Sequence, residues 1–285
     1  MLALLLHSLC TLCFFRSREN TTFARAPNTF CKGLFQNFST SFITFPLMKG
    51  LLIITPVKDS LETARDTFRA VKAGLPDVPC TYTVYDDFSS PENAKLLEQE
   101  ATQGDFELVH LADLTDHPSP NYLLVLRTAQ RRALEKDWGL CIVESDVTVK
   151  KETLQGLFDV AKAHEDAGIV ASVTTDETGA VNYPYLYARK WKKEVTEVRK
   201  HCSFCCSLLT PKLLEAFPFT SLDATKNWYD VTISHTSLEL SLKNLLCMTL
   251  PVLHRPHASR PWKQLKYKNP LKYYWLKFTK GLDKI

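Results

Sequence analysis

Glycine is scarce in this sequence: the chain of 285 residues contains nine. It has neither a P-loop nor the G-x-G-x-x-G fingerprint of dinucleotide enzymes, which argues against a kinase or an ordinary dinucleotide-dependent enzyme. No apolar run reaches the roughly 18 residues that a membrane-spanning helix needs. Internal repeats and low-complexity tracts are also absent. The composition, 45% hydrophobic and 23% charged, is that of a folded globular protein.

Charge is distributed unevenly along the chain. Residues 1–47 carry four basic residues and one acid, residues 255–285 carry nine and one, and the middle carries 22 and 29. An acidic body with a basic tail argues against a nucleic-acid partner, since such binding needs a basic body. The nine cysteines are odd in number and several lie in apolar runs. We therefore expect reduced, buried thiols in a cytoplasmic protein.

Residues 1–47 differ in composition from the rest. They hold eight of the sixteen phenylalanines and a single acid. They could be a short signal anchor, a transit peptide, or an artefact upstream of a true start at Met48. We favour the third interpretation, because the first convincing strand begins three residues after Met48. The expected organisation is an atypical leader over 1–47, a main domain over 48–257 and a basic aromatic tail over 258–285.

From Leu51 onward, apolar strands alternate with amphipathic helices. A capping-box pattern, Asp59 to Glu62, opens the first helix, and Ser90 and Pro91 open the second. Strands are predicted at 51–55, 80–85, 106–111, 140–143 and 168–173, and later helices at 122–134 and 152–164. The alternation implies an α/β fold, with a single, mostly parallel, Rossmann-like sheet flanked by helices. Such sheets bind ligands beyond the carboxyl ends of their strands.

Acidic residues stand at the ends of two predicted strands. Asp86 and Asp87 follow the second strand, whereas Glu144 and Asp146, separated by Ser145, follow the fourth. Two carboxylates one residue apart can hold Mg²⁺ or Mn²⁺, ions that also bind substrate phosphates. The alternative is that these acids form turns or cap helices. We expect both acidic loops to converge above one edge of the sheet, where a cation and a charged ligand can share a crevice.

Five segments follow one another in an order and spacing that a known family shares. They are Leu52–Val57, Val84–Ser90, Glu144–Val147, Ser203–Pro211 and Tyr229–Ser234. In turn they resemble the first strand, the nucleotide-binding Asp-Asp-Gly-Ser stretch, the Asp-x-Asp motif, the acceptor-side strand and the catalytic-base segment of family-2 glycosyltransferases. The resemblance spans roughly three quarters of the chain. It implies a single GT-A-like domain.

The resemblance implies transfer of a sugar, with inversion, from a nucleotide-sugar donor to a glycan or lipid-linked acceptor, as in polysaccharide biosynthesis. It implies that Asp146, Glu144 and the late His254 hold Mg²⁺ or Mn²⁺. The base is expected to be Asp230, with Glu239 as the alternative. Four residues are expected at the donor: Pro56, Asp86, Asp87 and Ser145.

Arg127, on the helix 122–134, is a further candidate for the donor diphosphate; the alternative is a solvated cation on the helix face. The sequence departs from the family at three positions: Phe88 replaces the motif glycine, Glu144 replaces the first Asp, and Tyr229 replaces the Glu before the base. A nucleotidyltransferase that forms sugar nucleotides remains an alternative. Such an enzyme needs a glycine-rich loop after the first strand, and residues 56–59 contain no glycine. A non-catalytic membrane- or partner-binding protein with a degenerate site is another.

Two further patterns have competing interpretations. The run from His201 to Cys206 has metal-like spacing, but it is apolar and strand-like, so we favour buried thiols over a zinc site. The tail interleaves lysines with six aromatic residues between Trp262 and Phe278. That composition predicts peripheral contact with the inner face of a membrane, or else a tail that packs its aromatic rings on the domain.

Overall fold

The computed structural model describes residues 48–104, 106–226, 228–255, 265 and 269–280, all within one compact unit. The predicted leader lies outside the described residues, as do His257 and Trp262. No helix among the described residues is both long enough and apolar enough to cross a bilayer.

The described strands form one sheet, with the order β3-β2-β1-β4-β8-β6-β9-β5 and with β7 paired to β9. Their bounds are β1 Leu51–Val57, β2 Cys80–Asp86, β3 Glu107–His110, β4 Gly139–Val143, β5 Val147–Thr148, β6 Ala167–Thr175, β7 Val195–Glu197, β8 Cys206–Leu209 and β9 Lys243–His254. Strands β1 to β4 are mutually parallel and β6 is parallel to β9. Strand β8 runs antiparallel to both β4 and β6. Strands β5 and β7 run antiparallel to β9. The predicted α/β class is confirmed, with β5, β7 and β8 as antiparallel members that the pattern did not reveal.

Helices cover both faces of this sheet. They are α1 Leu61–Ala73, α2 Pro91–Gly104, α3 Tyr122–Leu134, α4 Thr153–Ala163, α5 Pro211–Ala216, α6 Tyr229–Glu239 and α7 Pro270–Lys280. Because side chains alternate along a strand, Ile53 joins the core under α1 and α4, while Ile54 joins the core under α3 and α6. Each fully buried aliphatic side chain contributes about 1.5–3 kcal/mol. The predicted span of α3 is confirmed residue for residue.

Strand β1 continues through Pro56, so the expectation that this proline ends the strand is wrong. The amide of Asp87 donates to the Val57 carbonyl at 2.8 Å, which places Val57 on the β2 side. By alternation Pro56 faces β4, and pairing between β1 and β4 stops at Ile54. The missing proline N–H is therefore not needed by a neighbouring strand.

The expected capping box of α1 does not form. Ser60, the residue before the helix, makes no side-chain capping bond. Asp59 adopts φ 52°, and its Oδ1 accepts bonds from the Ser90 amide at 2.7 Å and Asn93 Nδ2 at 3.0 Å. These hydrogen bonds hold the pKa of Asp59 below its usual value. Asp59 thus ties the loop after β1 to the loop after β2, a long-range role that a local capping pattern cannot predict.

Candidate active site

The two acidic loops lie at the same edge of the sheet, beyond neighbouring parallel strands. Asp86 pairs with Val57 on one side of β1, and Ile54 pairs with Ile142 of β4 on the other. Strands β2 and β4 thus flank β1 on opposite sides, and the acidic residues stand at or directly after the carboxyl ends of both strands.

Strand pairing brings three potential metal ligands together at the end of β4. Because β8 is antiparallel to β4, the Glu144 amide donates to the Cys205 carbonyl at 2.9 Å. Strand β5, directly after the acidic loop, pairs Val147 with His254 at the end of β9. One ligand atom each from Glu144, Cys205 and His254 then lie within 4.8 Å of one another. This cluster combines a carboxylate, a thiol and an imidazole.

The ring of His254 is oriented by a backbone carbonyl. Its Nδ1 lies 2.8 Å from the Tyr183 carbonyl oxygen, which can only accept, so Nδ1 carries a proton. Its Nε2 faces Asp146 Oδ2 at 3.6 Å and Cys205 Sγ at 3.8 Å. Fixing one ring nitrogen in this way is what metal-binding histidines require of their surroundings. When the ring is neutral, it presents Nε2 to the acidic loop as a ligand.

The electrostatics of this cluster fit a divalent cation. Burial raises the pKa of Glu144 to about 7, and the charges of Asp146 and Asp230 act in the same direction, against His254. Burial opposes protonation of His254, but Asp146 and Glu144 outweigh it and raise the pKa of the ring. Crowded carboxylates that hold protons near neutral pH gain stability from a cation that replaces those protons. Glu144, Asp146 and His254 offer oxygen and nitrogen donors that fit Mg²⁺ or Mn²⁺, and the Cys205 thiol lies beside them.

This protonation predicts an unusual pH dependence of stability in protein stripped of metal. Between pH 4.5 and 7 the folded protein holds the Glu144 proton more tightly than the unfolded chain does. Stability conferred at low pH is therefore lost as the pH rises through about 7, by up to about 3 kcal/mol. We expect urea unfolding at pH 5, 6, 7 and 8 to show that decline relative to Glu144→Gln. Parallel stability curves for the two proteins would contradict the assignment.

Helix α6 carries Asp230 in its first turn, on the side of the acidic cluster. The charge of Asp230 helps to raise the pKa of Glu144, and also that of Tyr122. The helix approaches β6 closely, since a Cβ on Gly168 would lie 2.2 Å from Ser237 Oγ. Glu239 is the last residue of α6 and is exposed, about 13 Å along the axis from Asp230. Of the two expected bases, only Asp230 is brought to the site.

Tyr122, which the sequence did not single out, also belongs to the site. Its hydroxyl is buried and makes no hydrogen bond with any described protein atom. Burial raises the pKa of this hydroxyl well above its ordinary value, and Glu144 and Asp230 raise it further. Its ring stacks on Tyr229 with centroids 6.4 Å apart. A buried hydroxyl between two carboxylate-bearing elements costs about 1–3 kcal/mol while it has no partner, which suits a group that bonds to a ligand.

Comparison with known proteins supports the architecture. No family model and no curated protein matches the sequence. The structure is similar to a mannosyltransferase, PcManGT from Pyrobaculum calidifontis, solved with GDP-Man and Mn²⁺: TM-score 0.57, 13% identity, 81% of this chain and 64% of that chain. The fold is GT-A-like.

Two other glycosyltransferase structures show the same likeness. GalNAc-T7, solved with UDP, GalNAc and Mn²⁺, has a TM-score of 0.56, 13% identity, and coverage of 74% of this chain and 45% of that chain. TarS from S. aureus has a TM-score of 0.52, 14% identity, and coverage of 76% and 38%. The chain thus spans less than two thirds of the length of each of these proteins. At such low identity the likeness establishes the fold, and it agrees with the GT-A-like domain expected from the sequence.

Asp86 and Asp87 are both at the expected edge, but their carboxylates already hold parts of the protein. Asp86 is 3% exposed; its Oδ1 accepts the Ser89 amide at 3.1 Å and its Oδ2 lies 2.8 Å from His110 Nδ1. Asp87 Oδ2 accepts bonds from the Ser119 hydroxyl at 2.7 Å and the Asn121 amide at 2.9 Å. Asp87 therefore anchors the segment that begins α3, and so positions Tyr122.

Arg127 fits neither of its expected environments. Its Nε donates to the Phe219 carbonyl at 3.1 Å, and its Nη2 to the carbonyls of Thr220 and Leu222, each at 3.2 Å. The guanidinium thus joins α3 to the 3₁₀ turn Phe219–Ser221. Pro56 is half-buried at the end of β1, and Ser145 is buried in the acidic loop after β4.

Phe88 departs from the motif glycine in identity but not in backbone conformation. Its φ is 58°, in the left-handed region that glycine tolerates best. The turn after Asp87 is therefore retained, and the Phe88 ring packs against the core.

The described cysteines are all free, and Cys141, Cys202, Cys206 and Cys247 are buried thiols as expected. Cys205 is buried as well, but it lies in the acidic cluster. Cys205 belongs to the hydrophobic core, so the predicted buried thiol is confirmed. It also lies beside Glu144 and His254, because β8 returns antiparallel beside β4.

Proposed function

We propose that the protein is an inverting glycosyltransferase that moves a sugar from a nucleotide-sugar donor to a glycan or lipid-linked acceptor. The observation that carries this proposal is the cluster of Glu144, Cys205 and an oriented His254 beyond β4 of a GT-A-like sheet, with Asp146 Oδ2 3.6 Å from His254 Nε2. The similar mannosyltransferase was solved with GDP-Man and Mn²⁺, and GalNAc-T7 with UDP and Mn²⁺. We propose that a nucleotide-sugar donor binds at the sheet edge that carries Pro56 and Ser145.

Asp146, Glu144 and His254 would hold the cation, and we propose Mn²⁺ over Mg²⁺. Mg²⁺ prefers oxygen ligands, whereas Mn²⁺ accepts the imidazole nitrogen that the Tyr183 carbonyl orients here. When bound, the cation would offset the charge that develops on the departing nucleoside diphosphate. The acidic loop would hold the cation at the sheet edge where β1 and β4 end.

Asp230 is the proposed general base. The acceptor oxygen forms a bond to the anomeric carbon while the bond from that carbon to the donor phosphate oxygen breaks. The acceptor hydroxyl proton passes to a carboxylate within hydrogen-bond reach. Asp230 suits this role because it lies in the first turn of α6, close enough for its charge to act on Glu144. A single displacement of this kind inverts the anomeric centre.

Binding of nucleotide and metal tests the proposal directly. A thermal-shift screen of UDP and GDP, each with and without Mn²⁺, should raise the midpoint of unfolding by roughly 5 °C for the preferred nucleotide. The shift should need Mn²⁺, because the nucleotide phosphates bind through it. No shift with any nucleoside diphosphate would overturn the proposal.

Tyr122→Phe should separate stability from activity. Removing a buried hydroxyl that has no protein partner should leave the midpoint of unfolding unchanged or raise it. Transfer should slow by about tenfold, because the hydroxyl is proposed to hydrogen-bond the substrate between Glu144 and Asp230. The matched control is Tyr82→Phe, whose hydroxyl donates to Thr55 Oγ1 at 3.0 Å. This control should lose stability and keep its rate; the reverse pattern would sink the assignment.

We also propose that α7 docks on an anionic membrane surface. Leu271, Tyr274, Trp275 and Phe278 are 85%, 58%, 64% and 90% exposed and share one helix face, because they recur at spacings of three and four. Tyr273, only 2% exposed, anchors the opposite side. Lysines flank the apolar face on α7, and rings with flanking lysines suit the headgroup region.

Vesicle sedimentation tests this docking. The double variant Trp275→Ser/Phe278→Ser should lose at least tenfold of its binding to phosphatidylglycerol vesicles, since each ring transfers apolar area out of water. Leu114→Ser is the matched control, because Leu114 is 51% exposed and lies far from α7 in sequence. Unchanged vesicle binding after deletion of 263–285 would contradict the proposal.

A further inference from the structure

A cavity of about 450 Å³ lies between α6, α7 and the two segments that precede β7 and β8. Its size suits a ligand of one or two sugar rings. The walls include four tyrosine or tryptophan rings, those of Tyr183, Trp228, Tyr273 and the partly exposed Tyr274. They also include three permanent cations, those of Arg199, Lys200 and Lys277. Among the described residues that line it, none is acidic.

The two kinds of lining group point to one class of ligand. Aromatic rings pack against the apolar C–H faces of sugars. Guanidinium and ammonium groups bind phosphate through charge-assisted hydrogen bonds. The Lys200 ammonium lies 5.1 Å from the centroid of the Tyr187 ring, which holds this cation at the cavity. A sugar that carries a phosphate satisfies both sets of groups at once.

The cavity is next to the candidate catalytic groups. Tyr183, which lines it, supplies the carbonyl that orients His254 at 2.8 Å. Trp228 and Val231, which also line it, flank Asp230 at the start of α6. A ligand in this cavity would therefore lie beside the first turn of α6, which carries Asp230.

We infer that this cavity binds the acceptor, and that the acceptor is a phosphate-bearing sugar. The inference rests on the proposed transferase function and specifies its acceptor class. The phosphate could belong to a soluble sugar phosphate or to a lipid-linked sugar, because both offer the same group to Arg199 and Lys277. Lys277 lines the cavity and belongs to α7, the helix whose exposed apolar face is proposed to dock on a membrane. A phosphate carried by a membrane lipid can therefore reach the cavity.

Calorimetric titration in EDTA tests the inference, because the chelator removes any phosphate binding through a metal. Glucose 1-phosphate should bind at least tenfold more tightly than methyl glucoside, and added salt should narrow the difference. Arg199→Gln and Lys277→Gln should each weaken glucose 1-phosphate about tenfold. Lys280→Gln is the matched control on the same helix and should change nothing. Equal affinity for the two sugars, or equal losses in all three variants, would overturn the inference.

Two further arms separate the possible results. Competition by dodecyl phosphate micelles would identify a lipid-borne phosphate, and its absence a soluble one; either outcome supports phosphate recognition once glucose 1-phosphate binds. The same variants are then screened with UDP, GDP and Mn²⁺. A retained nucleotide shift without sugar-phosphate recognition defeats the cavity assignment alone, whereas a missing nucleotide shift in wild-type protein defeats the transferase proposal itself.

Discussion

Replacing Asp230 with asparagine should slow transfer by about 10²–10⁴-fold, the usual contribution of a positioned general base. The amide keeps the size of the side chain and its place in the first turn of α6, but it cannot take the proton from the acceptor hydroxyl. Affinity for nucleotide and Mn²⁺ should stay within a few fold, since Asp230 is not one of the proposed metal ligands. The measurement is kcat beside the nucleotide-induced thermal shift.

Glu239→Gln is the matched control for this experiment. It changes the second expected base, which lies exposed at the far end of the same helix. Its rate should equal that of the wild type. A full rate in Asp230→Asn, or a comparable loss in Glu239→Gln, would remove Asp230 from the mechanism.

Asp146→Ala should abolish the Mn²⁺-dependent part of donor binding and lower donor turnover by about 10²–10³-fold. Asp146 belongs to the strand-end pair, and its Oδ2 lies 3.6 Å from His254 Nε2. Removing it takes away one carboxylate of the proposed metal site. It also takes away the nearest negative charge that favours protonation of His254. The nucleotide-induced thermal shift should then become independent of Mn²⁺.

Direct Mn²⁺ titration followed by electron paramagnetic resonance checks the same variant without any substrate. The signal of free Mn²⁺ should fall on adding wild-type protein and persist on adding Asp146→Ala. Asp113→Ala, which removes an exposed carboxylate elsewhere, should behave like the wild type. Nucleotide binding without turnover in the wild type would instead favour the non-catalytic protein that the departures at Glu144 and Phe88 left open.

The first half of the fold and the position of the site follow from local sequence signals. Apolar runs such as 140–143 become buried strands because every one of their residues faces a helix-covered side of the sheet. The acidic residues after two such strands reach the same edge because parallel neighbours end together. Helix α3 was predicted residue for residue, since its apolar spacing and its preceding polar loop agree.

The site residues that the sequence did not reveal are those set by long-range pairing. Cys205 reaches Glu144 only because β8 runs antiparallel to β4, more than fifty positions along the chain. Tyr122 reaches the cluster because Asp87 anchors the start of α3. Residue type alone also misassigned Arg127, whose guanidinium bonds to three backbone carbonyls instead of a ligand. Neither composition nor spacing reports which partner a charged side chain finds after folding.

Tyr183 couples binding of the metal to binding of the acceptor. Its carbonyl fixes His254 at 2.8 Å while its side chain lines the neighbouring cavity. An acceptor bound in the cavity therefore contacts the residue that orients the His254 ring. By thermodynamic linkage, the factor by which the acceptor changes the affinity for the metal equals the factor by which the metal changes the affinity for the acceptor. Wild-type protein and a Tyr183→Ala variant should differ in this cooperativity more than in either affinity measured alone.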